Sequence, residues 1–443
     1  MNKKSVLPTC QSLFSPKLMP ENLSHGKFWC LNTSQKAIKE FGSIQCSSVL
    51  LKRGKTFKFW ISRMYYLVGN TLLYTSKKKS SVIKGYVDLE YVKCQFKRAR
   101  SGKKSSILLQ HNGITIELCT SKLDVFNMWE EYLRPRVILT DYKEKYQFGE
   151  QIGSGSTSKV YRVSHNEHIG SKFAAKVIPT KHLEQDRKSF IVDEIKHLRS
   201  LCHPNIMKLY EVHESQEEVC LILELIEGGG LFKQQLKGQQ KYSEEESALI
   251  LRKLLQTLAY MQSKGITHRD IKPENVMFKD PNDLSSLVII DFGLACTRGS
   301  DNYFKVCGTP GYMAPEILNQ VYHLPFEMID VFSLGCVFFE MLTQRPLFYA
   351  KTKKDTLKLN MECSIDCTAP EWSQVSTFAK NLLEMMLEKN PTKRITVKEA
   401  LDSQLFASHV VKSSNFTAVE SERDETPRTC DRSVEVVFIS SKM

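Results

Sequence analysis

The chain has 443 residues, of which 42% are hydrophobic and 25% charged, so we expect a soluble globular protein of two or three domains. The net charge is +13, and residues 41–138 alone carry +12, so this segment is the one expected to meet acidic partners. No apolar run reaches about 20 residues, and no signal-peptide core follows Lys3 and Lys4, which argues against a membrane-spanning or secreted protein. The 13 cysteines are scattered and favour reduced thiols, so we expect a cytoplasmic protein.

The first 40 residues are polar, with scattered Pro, Ser and Lys and no sustained periodicity, which predicts a mostly disordered segment. Residues 41–138 contain several short runs of β-type residues, at 64–68, 71–74, 106–109 and 113–118. Gly69-Asn70 and Asn112-Gly113 supply turns between neighbouring runs. Apolar residues at helical spacing then follow, namely Leu123, Phe126, Trp129 and Leu133. The pattern predicts a small β-barrel whose open end is capped by a C-terminal helix.

Particular residues make this segment similar to a pleckstrin-homology domain over about residues 46–136. They are Leu50-Leu51-Lys52-Arg53-Gly54, then Trp60 and Arg63, and Trp129 in the final helix. The resemblance implies a phosphoinositide site, for which Lys52 and Arg63 match the pattern, whereas Ile61 replaces a basic residue. The basic residues expected at an acidic phospholipid surface are Lys52, Lys55, Lys58 and Arg63. Binding to a protein or occlusion of a neighbouring domain stays open, and nucleic acid is not expected because no aromatic residues interleave the basic runs.

Residues 139–145 read as a short linker, and a different pattern follows. The segment His268-Arg269-Asp270-Ile271-Lys272-Pro273-Glu274-Asn275 is followed by Asp291-Phe292-Gly293. It sets one carboxylate near an acceptor hydroxyl, and an amide and a second carboxylate around metal ions, which is what phosphoryl transfer needs. With these motifs the chain resembles the protein kinase family from Tyr146 to about Phe406.

The resemblance implies a role for each matching residue. Asp270 would orient the acceptor hydroxyl and Lys272 would contact the γ-phosphate, while Asn275 and Asp291 would bind Mg²⁺. The implied cofactors are ATP and Mg²⁺, with two ions in the active complex. Thr309 and Glu274 would face the substrate, and Lys272 with Thr309 favours a serine/threonine kinase over a tyrosine kinase. The resemblance also implies supporting residues: Asp330 bracing the catalytic loop, and Glu316 paired with Arg394.

The nucleotide site is expected from the first part of the same region. Glycines in the phosphate loop let backbone amides approach the phosphates, although Ser158 replaces the third glycine of the family. Lys176 would hold the α- and β-phosphates and pair with Glu194. Leu223 would be the gatekeeper, and the backbone from Glu224 to Ile226 the hinge. The loop is Gly153, Ser154, Gly155, Ser156, Thr157 and Ser158, and the adenine walls are Ile152, Val160, Ala174 and Met277.

The segment Cys307–Glu316 is most similar to the calcium/calmodulin-dependent kinase group. Calmodulin is nevertheless not expected as a partner, because neither an EF-hand loop nor a basic amphipathic helix after Phe406 is evident, and residues 407–443 read as a flexible tail. The predicted fold class is α+β multidomain, a bilobal kinase fold preceded by the barrel. We predict a serine/threonine protein kinase acting on protein substrates, localised at acidic membrane or autoinhibited through the basic domain. The alternative is a catalytically silent scaffold anchored to acidic membrane.

Overall fold

The computed structural model divides the described residues into two compact units, one with residues up to 188 and 209–225, the other with 189–208 and 226–410. The described residues are 13, 28–31, 36–53, 59–76, 82–100, 103–155, 157–168, 170–181, 183–232, 242–300, 302–303, 305–320, 325–365 and 370–410.

The first unit is built on one sheet of fourteen strands. Its strands are β1 (Cys30–Leu31), β2 (Ile44–Arg53), β3 (Trp60–Val68), β4 (Thr71–Thr75), β5 (Ile83–Asp88), β6 (Lys93–Lys97), β7 (Ser105–His111), β8 (Ile114–Thr120), β9 (Ile138–Leu139), β10 (Tyr146–Ser154), β11 (Lys159–His165), β12 (Lys172–Pro179), β13 (Leu209–Glu214) and β14 (Glu218–Leu223). The strand order is β1-β5-β4-β3-β2-β8-β7-β6-β9-β13-β14-β12-β11-β10. Its two short helices are α1 (Leu123–Leu133) and α2 (Tyr142–Lys145), and a 3-10 turn covers Ile38–Glu40.

Strands β2 to β8 and helix α1 form an N-terminal domain, and the predicted strands and turns lie within it. Helix α1 covers the predicted residues, and Trp129 is fully buried, with its indole nitrogen donating to Ser48 Oγ at 2.7 Å. A closed barrel is not seen among the described strands, because the sheet continues from β6 to β9 instead of returning to β5. The described residues therefore show a β-rich, helix-capped domain, and the barrel stays a prediction.

Within the first 40 residues, which were expected to be mostly disordered, residues 28–31 belong to this domain. Strand β1 pairs with β5, Cys30 opposite Tyr86. Phe28 and Trp29 are buried in the same core as Trp129, where large aromatic side chains bury much apolar area. Most of the other residues before 36 lie outside the described ranges.

The segment predicted as a linker is ordered. Ile138 and Leu139 form β9, which runs parallel to both β6 and β13, and α2 follows at once. Strands β10 to β14 then make an antiparallel sheet in which β13 and β14 pair through a hairpin. Apolar side chains of this sheet and of α2 make a small separate core that includes Tyr142, Tyr146 and Ala175.

The second unit is mainly helical. Its longer helices are amphipathic or wholly apolar, and α4 begins at a capping box in which Ser243 and Glu246 exchange hydrogen bonds. Almost every residue of α6 is buried, which makes it the centre of this unit. The elements are α3 (Gln185–Ser200, which starts in the first unit), α4 (Glu244–Ser263), α5 (Pro315–Leu318), α6 (Met328–Thr343), α7 (Lys353–Glu362), α8 (Thr377–Met386), α9 (Val397–Leu401), α10 (Gln404–Val410), β15 (Ile266–Thr267), β16 (Val276–Phe278), β17 (Leu287–Ile289) and β18 (Cys296–Thr297), with 3-10 helices at Pro273–Asn275, Leu284–Ser286 and Pro370–Gln374.

The predicted start of the C-terminal tail and the predicted state of the cysteines can both be compared with the structure. Helix α10 continues the fold to Val410, beyond the predicted start of the tail at 407, and residues 411–443 lie outside the described part. Nine of the described cysteines are free thiols, as expected, whereas Cys202 is disulfide-bonded. Within the described ranges, no helix combines the length and the apolar character that crossing a bilayer demands.

Candidate active site

Four predicted residues of the second unit meet in one hydrogen-bonded group, which we call the Asp270 cluster: Asp270, Lys272, Asn275 and Thr309. Thr309 Oγ1 donates to Asp270 Oδ1 at 2.6 Å and accepts from Lys272 Nζ at 2.7 Å. Lys272 Nζ also lies 2.8 Å from Asp270 Oδ2. The cluster thus holds a carboxylate, a cation and a hydroxyl within bonding distance of each other.

Asn275 links this cluster to the segment that leads to Asp291. Its amide nitrogen donates to the backbone oxygen of Asp270 at 2.9 Å and to Asp270 Oδ2 at 3.1 Å. Its backbone oxygen accepts from the Ile290 amide at 2.9 Å. Because both side-chain bonds use the nitrogen, the amide oxygen is the atom left to coordinate a cation.

Asp291 is exposed and takes a left-handed backbone conformation, with φ of 60°. The turn after it is tight, since a methyl group added at Gly293 would lie 3.2 Å from Asp291 Oδ1. The same methyl group would lie 3.7 Å from Glu194 Oε2, so the buried Glu194 carboxylate of α3 sits beside this turn. An exposed carboxylate and an amide oxygen are both ligands that suit Mg²⁺, which takes one or two protein carboxylates together with substrate phosphates.

A buried carboxylate braces the loop that carries Asp270. Asp330, on α6 and 2% exposed, accepts from the backbone amides of His268 at 2.7 Å and Arg269 at 2.8 Å. Two oriented amides stabilise a carboxylate that burial alone would penalise. Burial nevertheless dominates and leaves the pKa of Asp330 raised, although the charge of His268 and these amide bonds act in the opposite direction. This is the arrangement that the sequence predicted for Asp330.

No sequence motif singles out Asn302, which lies where α3 meets the loop of Asp270. It is fully buried, its amide nitrogen donates to Asp193 Oδ2 on α3 at 2.7 Å, and its backbone oxygen accepts from Arg269 Nη1 at 2.8 Å. Arg269 Nε also donates to the oxygen of Leu294 at 2.7 Å. Asn302 therefore ties α3 to the loop of Asp270, and only the tertiary fold reveals it.

In the first unit, the predicted nucleotide residues line up across four neighbouring strands, β10, β11, β12 and β14. Gly153 pairs with Val160, and Val160 with Lys176. Ala174 pairs with Leu223, and because Ala174 and Lys176 are two apart on β12, their side chains point to the same face. One face of the sheet thus presents the lysine, the two apolar walls and the gatekeeper predicted for a nucleotide.

The loop that joins β10 and β11 is closed by a short bond, from the Gly155 amide to the Ser158 oxygen at 2.8 Å. A methyl group at Gly155 would lie 3.0 Å from Ser158 Oγ, so the turn has little room for a larger residue. Ile152 beside the loop is 41% exposed, and Ser154 and Thr157 are also exposed, as a surface open to a ligand requires. Ser156 lies outside the described residues.

The remaining predicted residues are distributed between the two units. Glu224 and Ile226 are half-buried, Met277 lies on β16 and Glu274 is exposed. In the second unit, the segment after Ile226 pairs with β16, where a methyl group at Gly228 would come within 2.3 Å of the Phe278 oxygen. Only glycine fits there. The pairing of Lys176 with Glu194 stays a prediction.

The match to known proteins covers the chain from Tyr146 to Phe406. The family model described as "Protein kinase domain" matches residues 146–406. A calcium/calmodulin-dependent protein kinase type 1 of Caenorhabditis briggsae is 34% identical over 261 residues, which cover 59% of this chain and 72% of the relative. The human calcium/calmodulin-dependent protein kinase type 1B is 34% identical over 262 residues, covering 59% and 75%. A probable myosin light chain kinase of Dictyostelium discoideum is 35% identical over 283 residues, covering 62% and 58%.

Proposed function

Because this chain belongs to the protein kinase family and is a protein serine/threonine kinase, we propose that the Asp270 cluster transfers the γ-phosphoryl group of ATP to a Ser or Thr hydroxyl of a protein substrate. The observation that carries the proposal is the geometry of the cluster, in which a carboxylate, an ammonium group and a hydroxyl lie within 2.6–2.8 Å of one another. Phosphoryl transfer depends on such positioned charges more than on covalent chemistry.

Each residue of the cluster has a distinct proposed task. Asp270 accepts a hydrogen bond from the substrate hydroxyl and orients its oxygen toward the γ-phosphorus, and Lys272 offsets the charge of the transferred group. Thr309 holds these two side chains at their mutual distance. Their positions are fixed by burial and by hydrogen bonds, so little reorganisation accompanies the reaction.

Asn275 and Asp291 are the proposed metal ligands, for one or two Mg²⁺ ions. Bound there, Mg²⁺ would neutralise charge on the β- and γ-phosphates. The residues of the first unit complete the proposal: Lys176 contacts the α- and β-phosphates, and the face of Val160 and Ala174 receives the purine. Backbone amides of the 153–158 loop approach the phosphates because glycine lacks a Cβ.

The test of the proposed function is a phosphorylation assay with ATP, Mg²⁺ and a generic basic protein. We expect the full chain to transfer phosphate, and the Asp291→Ala variant, which loses a metal ligand, to be inactive at the detection limit. A full chain no more active than this variant, while still binding ATP, would instead support the silent scaffold. Thermal unfolding of both proteins shows that any difference is not one of folding.

We also propose that the N-terminal domain contacts acidic membrane, and one observation favours this beyond the charge of its segment. Three consecutive apolar residues at the start of β3 are exposed: Phe59 is 73%, Trp60 38% and Ile61 42% exposed. Lys104 Nζ lies 5.2 Å from the centre of the Trp60 ring. Exposed aromatic residues beside basic ones suit the interface between lipid headgroups and acyl chains.

The predicted lipid residues are placed as follows. Lys52 and Arg63 lie on β2 and β3, where the Lys52 ammonium is 5.6 Å from the Trp29 ring centre and Arg63 Nη1 donates to the Ser76 oxygen at 3.3 Å. Lys55 and Lys58 lie outside the described residues. Because Lys52 stands over Trp29 and Arg63 bonds within the domain, we place the membrane contact at Phe59 and Trp60, with the basic residues adding attraction.

For this contact, Phe59→Ala in the full chain is expected to weaken binding to phosphatidylserine-rich vesicles by about tenfold. The reason is that the variant loses the free energy gained when one aromatic side chain moves from water into the membrane interface. Vesicle sedimentation at low salt measures the binding. The control is Leu123→Ala, which removes an apolar side chain that is 57% exposed elsewhere in the same domain. Equal binding by both variants, or none by the unmodified chain, would refute the membrane contact.

A further inference from the structure

The N-terminal domain and the nucleotide-binding strands share one sheet through β9. Ile138 pairs with Lys93 of β6 on one side and with Val212 of β13 on the other, and Leu139 pairs with His213. The Ile138 amide donates to the Val92 oxygen at 2.9 Å, and both β9 side chains are buried. A strand of two residues cannot hold two sheets together alone, so the side chains around it must contribute.

Those side chains form a buried group of charges, the Arg134 cluster: Arg134, Glu130, Asp141, Lys145, Glu211 and His213. Arg134 follows α1 of the N-terminal domain and is 8% exposed. Its guanidinium reaches three carboxylates, Glu130 at 3.0 Å, Asp141 at 3.1 Å and Glu211 at 3.1 Å. Glu211 belongs to β13, so one arginine of the N-terminal domain neutralises a carboxylate of the nucleotide-binding strands.

His213 completes the cluster from the same strand. It is fully buried, its Nε2 lies 2.9 Å from Glu211 Oε2, and its Nδ1 lies 3.4 Å from Asp141 Oδ1. Lys145 Nζ is 3.5 Å from Glu130 Oε1. Arg98 Nη2 also lies 3.0 Å from Glu130 Oε2, so Glu130 is offset by Arg98, Lys145 and Arg134. Asp141 and Glu211 share the remaining charge of Arg134, and a protonated His213 between them completes the balance. The rings of Tyr142 and Tyr146 lie against His213, and the Tyr146 hydroxyl donates to Glu211.

The electrostatics of the buried groups agree with this balance. Burial alone would lower the pKa of His213, but its contacts with Asp141 and Glu211 outweigh burial and raise it. Burial would raise the pKa of Glu211, yet the bond with His213 and the charge of Arg134 bring it down to about 2. Both shifts favour the charged forms, so the cluster is a set of matched ions held out of water.

A second ion pair, at the end of β13, also joins the N-terminal domain to the nucleotide-binding strands. Lys93 of β6 lies 2.7 Å from Glu214, which is 4% exposed, and the Leu13 amide donates to the other oxygen of this carboxylate at 2.6 Å. Two buried carboxylates of one strand, Glu211 and Glu214, are therefore both compensated by the N-terminal part of the chain. Burying them without these partners would be costly.

We propose that β13 is a docking surface whose partner is the N-terminal domain of the same chain, and that this contact positions the nucleotide-binding strands. The inference rests on the proposed function where it concerns ATP. Strand β13 pairs with β14, and β14 pairs with β12, which carries Lys176. A β13 that loses its contacts with the N-terminal domain therefore disturbs β14, the strand beside Lys176. The N-terminal domain thus supports catalysis as a fixed part of the sheet and is not a freely tethered module.

The test is Arg134→Ala in the full chain, which leaves Glu211 buried without its guanidinium. We expect Tm to fall by about 6 °C or more, the amides of β13 and β14 to exchange with solvent at least about tenfold faster, and the KM for ATP to rise more than kcat falls. The control is Arg53→Ala, whose ion pair with Glu117 spans 3.7 Å on the surface of the same domain, and which should leave all three unchanged.

If Arg134→Ala matches this control in Tm and in amide exchange, the proposed docking is wrong. Tm and exchange do not depend on catalysis, so they decide the point even if the chain should transfer no phosphate. A chain that transfers no phosphate would count against the proposed function alone. An Arg134→Ala chain that retains the Tm and exchange rates but loses activity would also contradict the docking.

A second measurement covers the case in which Arg134→Ala does not fold. Since the pKa of His213 is raised from its ordinary value of 6.5, the stability it contributes is complete below pH 6.5 and is lost as the pH rises through the higher folded value. The Tm of the unmodified chain should therefore decline with rising pH above neutrality, and His213→Gln should flatten that decline. Identical pH profiles for the two proteins would overturn the role of the cluster.

Discussion

Replacing Asp270 with alanine is expected to lower kcat by about 10²–10⁴-fold, the range found when a residue that handles the reacting proton is removed. The carboxylate is 8% exposed and contacts Lys272, Asn275 and Thr309, so no neighbouring side chain can take over its position. The KM for ATP should change little, because the residues proposed to contact the purine and the α- and β-phosphates lie on other elements.

Steady-state phosphorylation of a basic protein at saturating ATP measures this effect. The matched control is Asp402→Ala, which removes an exposed carboxylate after α9 and should keep full activity. Asp270→Asn is a useful companion, since it keeps the shape and the contact with Lys272 while removing the charge. An Asp270→Ala enzyme that retained more than about a tenth of kcat would remove Asp270 from the proposed role.

The second large effect concerns stability and the ion pair between Glu316 and Arg394. Arg394 Nη1 and Nη2 lie 2.6 and 3.0 Å from the two Glu316 oxygens, and the arginine side chain is fully buried. The guanidinium also donates to the Met328 oxygen at 2.8 Å and lies 4.9 Å from the Phe332 ring centre. Arg394→Ala should therefore cost about 3–5 kcal/mol of the free energy of unfolding, because it leaves a buried carboxylate uncompensated.

Denaturant unfolding of the full chain measures this loss, with Lys393→Ala as the exposed neighbouring control. The Glu316→Ala/Arg394→Ala double variant should lose less than the sum of the two single changes, since removing both charges leaves neither one buried alone. A loss below about 1 kcal/mol for Arg394→Ala would place the pair with ordinary surface ion pairs.

The residues of the Asp270 cluster could be predicted because most of them are close in sequence. Asp270, Lys272 and Asn275 lie within six residues, so their spacing alone limits where their side chains can meet. The pair of Glu316 and Arg394 was also predicted, although 78 residues separate them, because both belong to recognisable motifs. Local patterns thus carried most of the information about this site.

The Arg134 cluster could not be predicted in this way. Arg134 and Glu211 are 77 residues apart, belong to no motif, and each alone reads as an ordinary surface charge. Strand β9 has only two residues, too few for a periodic pattern, and its segment therefore read as a linker. Likewise, Phe28 and Trp29 stand among polar residues, and only the core that receives them explains their burial.

The pairing of β13 with β9 limits where this polypeptide can be shortened. A chain begun at Tyr146 would contain every residue matched by the family model, yet it would lack β9. The outer backbone groups of Val212 and His213 would then face water, and such an open sheet edge invites pairing with the same edge of another copy. The shortest catalytic fragment that does not pair with other copies through this edge should therefore begin before β1 and not at the first residue of the recognisable family domain.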